Sequence, residues 1–153
     1  MKKAIVLSLM LSVAAVSFAS TLAIPWYLDR ANAGTGFPPS EFEASFCTIK
    51  NNVVEEPLLC AIEYFGADGS DFTPAANTFS IPANSAVGFR PCVVDKTTTG
   101  QDYIPVKVEG ASQQNRAGSA AITFLGNPSD LQGRLLQVNT TGSIAMYLLP
   151  AGN

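Results

Sequence analysis

From residue 44 onward the chain alternates apolar and polar residues in short runs, and each run ends in Gly, Pro, Asn or Asp. Alternation at a period of two marks half-buried β-strands, because successive side chains of a strand point to opposite faces. The run Phe46–Asn51 places Cys47 and Ile49 on one face. The run Leu58–Phe65 does the same with Leu58, Cys60, Ile62 and Tyr64. Phe79 and Ile81, then Val87 and Phe89, continue the rhythm until Pro91, which has no N–H to give to a central ladder. Residues 103–109 alternate through Ile104, Val106 and Val108. Ala120, Ile122 and Phe124 follow, then Leu136 with Val138, and finally Ile144, Met146 and Leu148. Asp68-Gly69-Ser70-Asp71, Pro82-Ala83-Asn84, Gly126–Asp130 and Asn139–Gly142 supply the turns. About eight short strands at this spacing predict an all-β domain. The expected form is a single antiparallel β-sandwich, jelly-roll or Ig-like. A closed barrel would bury the same faces.

Residues 20–43 differ from the body at 44–153. Leu22, Ile24, Trp26 and Leu28 alternate, and a stretch with Gly34, Gly36, Pro38 and Pro39 has the composition of a linker. An apolar strand on such a tether has two fates. It folds back as an edge strand of its own sheet, or it serves as an assembly strand donated to a neighbouring subunit.

The first 19 residues read as a targeting segment. Lys2 and Lys3 precede an apolar stretch from Ala4 to Phe18, and Ser17-Phe18-Ala19 places small residues where a signal peptidase cuts. Thr21-Leu22-Ala23 offers a second cut. The apolar run is shorter than the ~20 residues of a spanning helix. The expected product is a bacterial protein secreted to the periplasm or the exterior, with no stable membrane insertion after a signal helix is cleaved.

Only 14% of the 153 residues are charged, too few for a solvated disordered chain. Loss of Lys2 and Lys3 leaves seven basic against twelve acidic residues, a formal charge of −5 rather than −3. That balance gives no footprint for nucleic acid. The chain has no histidine, which excludes Ser-His-Asp and Cys-His catalysis and imidazole-based zinc sites.

Three segments resemble the sensory rhodopsin transducer family: Glu43-Ala44-Ser45-Phe46-Cys47-Thr48-Ile49-Lys50-Asn51, Ile62-Glu63-Tyr64-Phe65 and Phe79-Ser80-Ile81-Pro82-Ala83-Asn84. The resemblance covers residues 26–92. It implies a small β-sandwich that oligomerises and has no known catalytic chemistry. The export signal departs from the family's cytosolic members.

Few residues suggest chemistry. Three cysteines in an exported chain allow one disulfide. Pairing Cys47 with Cys60 in a hairpin would put Ile49 opposite Leu58. A bridge through Cys92, or three buried free thiols, are the alternatives. Cys92, beside Pro91 at a strand end, is the thiol expected to stay free or to reach a partner chain. Glu55-Glu56 reads as a solvated hairpin tip, and Asp68 and Asp71 lack the ligand alternation of a calcium loop. Trp26, Tyr27 and Phe37 could stack on a sugar, or staple the N-terminal segment to the body. Arg90 and Arg134 have no evident partner. These features point to an exported, non-catalytic structural or interaction protein that associates with itself as a homo-oligomer or filament, with no cofactor. An extracellular carbohydrate-binding module is the alternative, and a hydrolase the third reading.

Overall fold

The computed structural model describes residues 19–95, 107–108 and 116–152. Nine antiparallel strands form two facing sheets: β1 (Ala19–Leu28), β2 (Ala44–Asn51), β3 (Leu58–Gly66), β4 (Thr78–Ile81), β5 (Ala86–Phe89), β6 (Ala117–Leu125), β7 (Leu131–Val138), β8 (Ile144–Leu148) and β9 (Ala151–Gly152). One sheet runs β4-β3-β6-β1-β9 and the other β5-β2-β7-β8. Without the two-residue β9, each sheet has four strands. The fold is all-β and consistent with the expected β-sandwich.

The alternation read from the sequence sets the core. Cys47 and Ile49, then Cys60, Ile62 and Tyr64, then Phe79 and Ile81, Val87 and Phe89, and Ala120, Ile122 and Phe124 all point into one buried cluster between the sheets. The alternating run at 103–109 lies outside the described residues except for Lys107 and Val108. Val108 is buried, and its amide donates to the Pro91 carbonyl at 2.8 Å.

The sandwich begins at β1, not at residue 44. β1 pairs with β6 from Ala19↔Leu125 to Leu28↔Ala117, and with β9 through Thr21 and Leu22. So the N-terminal strand folds back into its own sheet, yet it lies inside that sheet, with the short β9 as the edge. Its alternation breaks where the register shifts between Ile24 and Tyr27, at Pro25. Proline has no N–H for the ladder, and a bulge accommodates it. The consequence is a change of face. Leu22 and Ile24 stay in the core, Tyr27 joins them, and Trp26 turns out to solvent. Tyr27 lies opposite Gly118, where any Cβ would collide with the Phe65 carbonyl and meet the Tyr27 hydroxyl at 3.1 Å.

The expected β2–β3 hairpin does not form. β2 pairs with β5 and β7, whereas β3 pairs with β4 and β6. Residues 52–57 therefore cross from one sheet to the other. Cys47 lies between Phe89 and Leu135 in one sheet, and Cys60 between Phe79 and Phe124 in the other. Cys47, Cys60 and Cys92 are all free and buried. Each fills core space as a small apolar group, so the Cys47–Cys60 bridge is not present. Cys92 is likewise enclosed, which removes it as a thiol ready to meet a partner chain.

Residues 29–43 pack along the outer face of the β5-β2-β7-β8 sheet. The Arg30 and Ala31 amides both donate to the Glu43 carbonyl, and the Phe37 ring meets Phe46 edge-on at 5.7 Å. This layer explains why Ala44 and Val138, a cross-strand pair on the outer face, are buried.

Candidate functional site

Two features stand out once the fold is in place: an enclosed charge cluster at the end of β1, and an uncovered edge strand, β8, in the other sheet.

Arg90 follows β5 and is buried. Its Nε and Nη2 donate to Asp29 Oδ1 at 2.9 and 2.5 Å, and its Nη1 donates to Asp95 Oδ2 at 2.9 Å. The carbonyls of Ala31 and Asn32 take two further guanidinium protons, at 2.6 and 3.1 Å. Asp29 Oδ2 accepts the Cys92 amide at 2.9 Å. The sequence left Arg90 without a partner because Asp29 is 61 residues away. A signal was present: an arginine between a strand and a proline, in a chain poor in charge, has to be paired if it is enclosed. Burial raises the Asp29 carboxyl, against the pull of Arg90 and of the Cys92 and Ser45 amides. The Asp29 carboxylate accepts from Arg90 and from the Cys92 and Ser45 amides of its own chain, and its side chain is fully enclosed. The cluster therefore acts as a latch joining the end of β1 to the ends of β2 and β5. The thiols beside it are also inert. Burial pushes Cys60 up to about 12 and holds Cys47 and Cys92 well above the ordinary thiol range, so none is a thiolate at neutral pH.

β8 is built differently. The turn before it closes through Asn139, whose Oδ1 accepts the Thr141 and Ser143 amides at 3.0 and 2.9 Å, with Gly142 at a positive φ of 80°. Asn139-Thr140-Thr141 thus serves as turn chemistry. The strand then pairs with β7 from Val138↔Ile144 to Arg134↔Leu148. Cross-strand partners share a face. Leu135 is in the core, so its partner Tyr147 points inward. Leu136, Val138, Ile144, Met146 and Leu148 point outward. The sequence placed Ile144, Met146 and Leu148 on a buried face; the structure leaves them in solvent. Met146 is 61% exposed and Leu148 84%, and even the inward Tyr147 is half exposed. Covering a side chain of this kind is worth about 1.5–3 kcal/mol. A contiguous apolar strip at a sheet edge is the feature that most soluble monomers avoid.

Of the four residues expected to form an assembly strand, Leu22 and Ile24 sit in their own core. Trp26 is 46% exposed and Leu28 is half-buried. Of the three aromatics considered for sugar stacking, Tyr27 is buried against Tyr64, and Phe37 rests on Phe46. Trp26 alone lines a cleft of about 460 Å³, together with Asp68, Phe72 and Gly66. The turn at Asp68–Asp71 forms as expected: the Gly66 amide donates to the Ser70 carbonyl at 2.7 Å, and Gly69 has a φ of 84°. Hydrogen bonds from Ser70 hold the Asp68 carboxyl below the usual range. Glu55 and Glu56 are solvated, as read from the sequence.

Set against known proteins, the chain matches no family model, no curated protein and no solved structure.

Proposed function

We propose that this chain is an exported, non-catalytic β-sandwich subunit that associates with copies of itself. The observation that carries this reading is the apolar strip on β8, where four large side chains of one short strand stand in solvent. Low charge fits a protein that buries surface against a like partner. The mass of the mature chain in solution tests the reading.

Export rests on the leader pattern, of which residues 1–18 lie outside the described structure. The position of β1 bears on the cut. Cleavage after Ala19 leaves Ser20 to Leu28 intact, including the Ser20 hydroxyl that donates to the Gly126 carbonyl at 2.6 Å. Cleavage after Ala23 would delete Leu22 from the core. The first cut is the one that preserves the fold.

A second reading has an observation of its own. The bulge at Pro25 withholds Trp26 from the core and presents it beside the ionised Asp68 and the ring of Phe72. An indole face next to a carboxylate suits a sugar, which offers C–H groups to the ring and hydroxyls to the oxygens. On this reading the wild-type chain retains glycans in an array, and Trp26→Ala abolishes the signal without lowering thermal stability. An array with no wild-type signal removes the reading.

A further inference from the structure

The geometry points to a defined mode for the association proposed above: two copies join β8 to β8 about a twofold axis at Met146, making one continuous eight-stranded sheet. This inference rests on the reading that the chain self-associates.

The hydrogen-bond parity of the β7–β8 hairpin fixes which backbone groups are open. The Asn139 amide donates to the Ser143 carbonyl, and the Leu149 amide donates to the Gly133 carbonyl. These pairs continue the register in which Leu135 faces Tyr147 and Gln137 faces Ala145. In an antiparallel pair, hydrogen-bonded and non-hydrogen-bonded positions alternate. Residues 143, 145, 147 and 149 therefore bond to β7. Ile144, Met146 and Leu148 direct their N–H and C=O groups away from it, to the open edge.

A second β8, antiparallel and centred on Met146, meets these groups one for one. Ile144 faces the partner's Leu148, Met146 faces the partner's Met146, and Leu148 faces the partner's Ile144. All three are then hydrogen-bonded pairs, and no residue of the strand is left over. On the inner face Ala145 comes opposite the partner's Tyr147, so the large ring has a small neighbour. On the outer face Ile144, Met146 and Leu148 of both copies form one apolar row.

Two observations select a copy of this chain as the occupant. First, no residue of β8 is charged, and of its β7 partners only Arg134, opposite Leu148, carries a charge, in a chain whose overall balance is acidic. Two acidic copies repel each other elsewhere and meet least charge along this edge. Secondly, among the described residues the other edges are poor mates. β4 and β5 have four residues each, with Pro82 directly after β4 and Pro91 two residues past β5, and β9 has two residues next to Pro150. Pairing β8 with a different edge would also be heterologous and would leave edges open, whereas β8 with itself closes.

The test is site-directed cross-linking of the mature full chain under mild oxidation. The three native thiols are enclosed and do not compete. Met146→Cys places two sulfurs at a hydrogen-bonded pair about 5.5 Å apart between Cα atoms, within disulfide range. It is expected to give a covalent dimer within minutes, while Thr21→Cys, on the outer face of the other sheet, gives none. Met146→Lys keeps every β7–β8 bond and places two charges on the axis, and is expected to weaken the dimer at least a hundredfold by sedimentation. An assembly that persists in Met146→Lys and does not cross-link through Met146→Cys overturns this interface and leaves self-association standing. A wild-type monomer at every concentration overturns both.

Discussion

Asp29→Ala should cost about 3–5 kcal/mol of stability, a large part of what a domain of this size possesses. The reason lies in what the substitution leaves behind. Arg90 stays enclosed and charged, with Asp95 as its one remaining carboxylate partner among the described residues and the Cys92 amide without the Asp29 acceptor. Breaking one half of a buried pair is far more damaging than replacing the whole pair by apolar groups. Asp29→Asn keeps the volume but not the charge and is expected to fall between wild type and Asp29→Ala. Asp29→Ala combined with Arg90→Leu should cost less than the two single changes added together, because both remove the same Asp29–Arg90 pair and the double variant loses it once. Urea unfolding of wild type, the three single variants and the double variant checks this. A loss below about 1 kcal/mol for Asp29→Ala would show that the latch does not hold the end of β1.

Deleting residues 20–33 should abolish the fold rather than dissociate an oligomer. The deletion removes β1, which lies between β6 and β9, and with it Leu22, Ile24 and Tyr27 from the core and Asp29 from the latch. Truncating one such side chain costs about 2–5 kcal/mol, and this deletion removes three together with a strand's hydrogen bonds. Far-ultraviolet circular dichroism and proteolysis of the truncated chain are the checks. A synthetic peptide of residues 20–33 added in trans should restore a protected fold by refilling the place between β6 and β9. If the deleted chain folds unaided, β1 is dispensable to the sandwich.

The sequence made the strands legible because the core accepts one face of each. Ile49, Ile62, Ile81 and Ile122 lie where simple alternation places them. Pairing was not legible. A β2–β3 hairpin and a crossover between sheets bury the same residues, Cys47 and Ile49 against Leu58 and Cys60, so the apolar pattern is indifferent between them. Trp26 and Tyr27 changed places because a bulge at Pro25 resets the face, and a reading that counts every second residue has no means to register it. The Asp29–Arg90 contact joins residues far apart in the chain, and only enclosure of both made it necessary. For β8 the alternation was real, yet it reports how side chains are disposed along a strand and not whether anything lies over them. That distinction separates the buried strip expected from the exposed strip found, and the proposed function grows out of it.

The most direct measurement is the mass of the mature chain, residues 20–153, by light scattering across a hundredfold range of concentration at moderate salt. The account predicts twice the monomer mass or more, falling towards the monomer only at the dilute end. Added salt should not dissociate it, because β8 itself is uncharged and screening only relieves the repulsion between two acidic bodies. A single monomer mass at every concentration would contradict it.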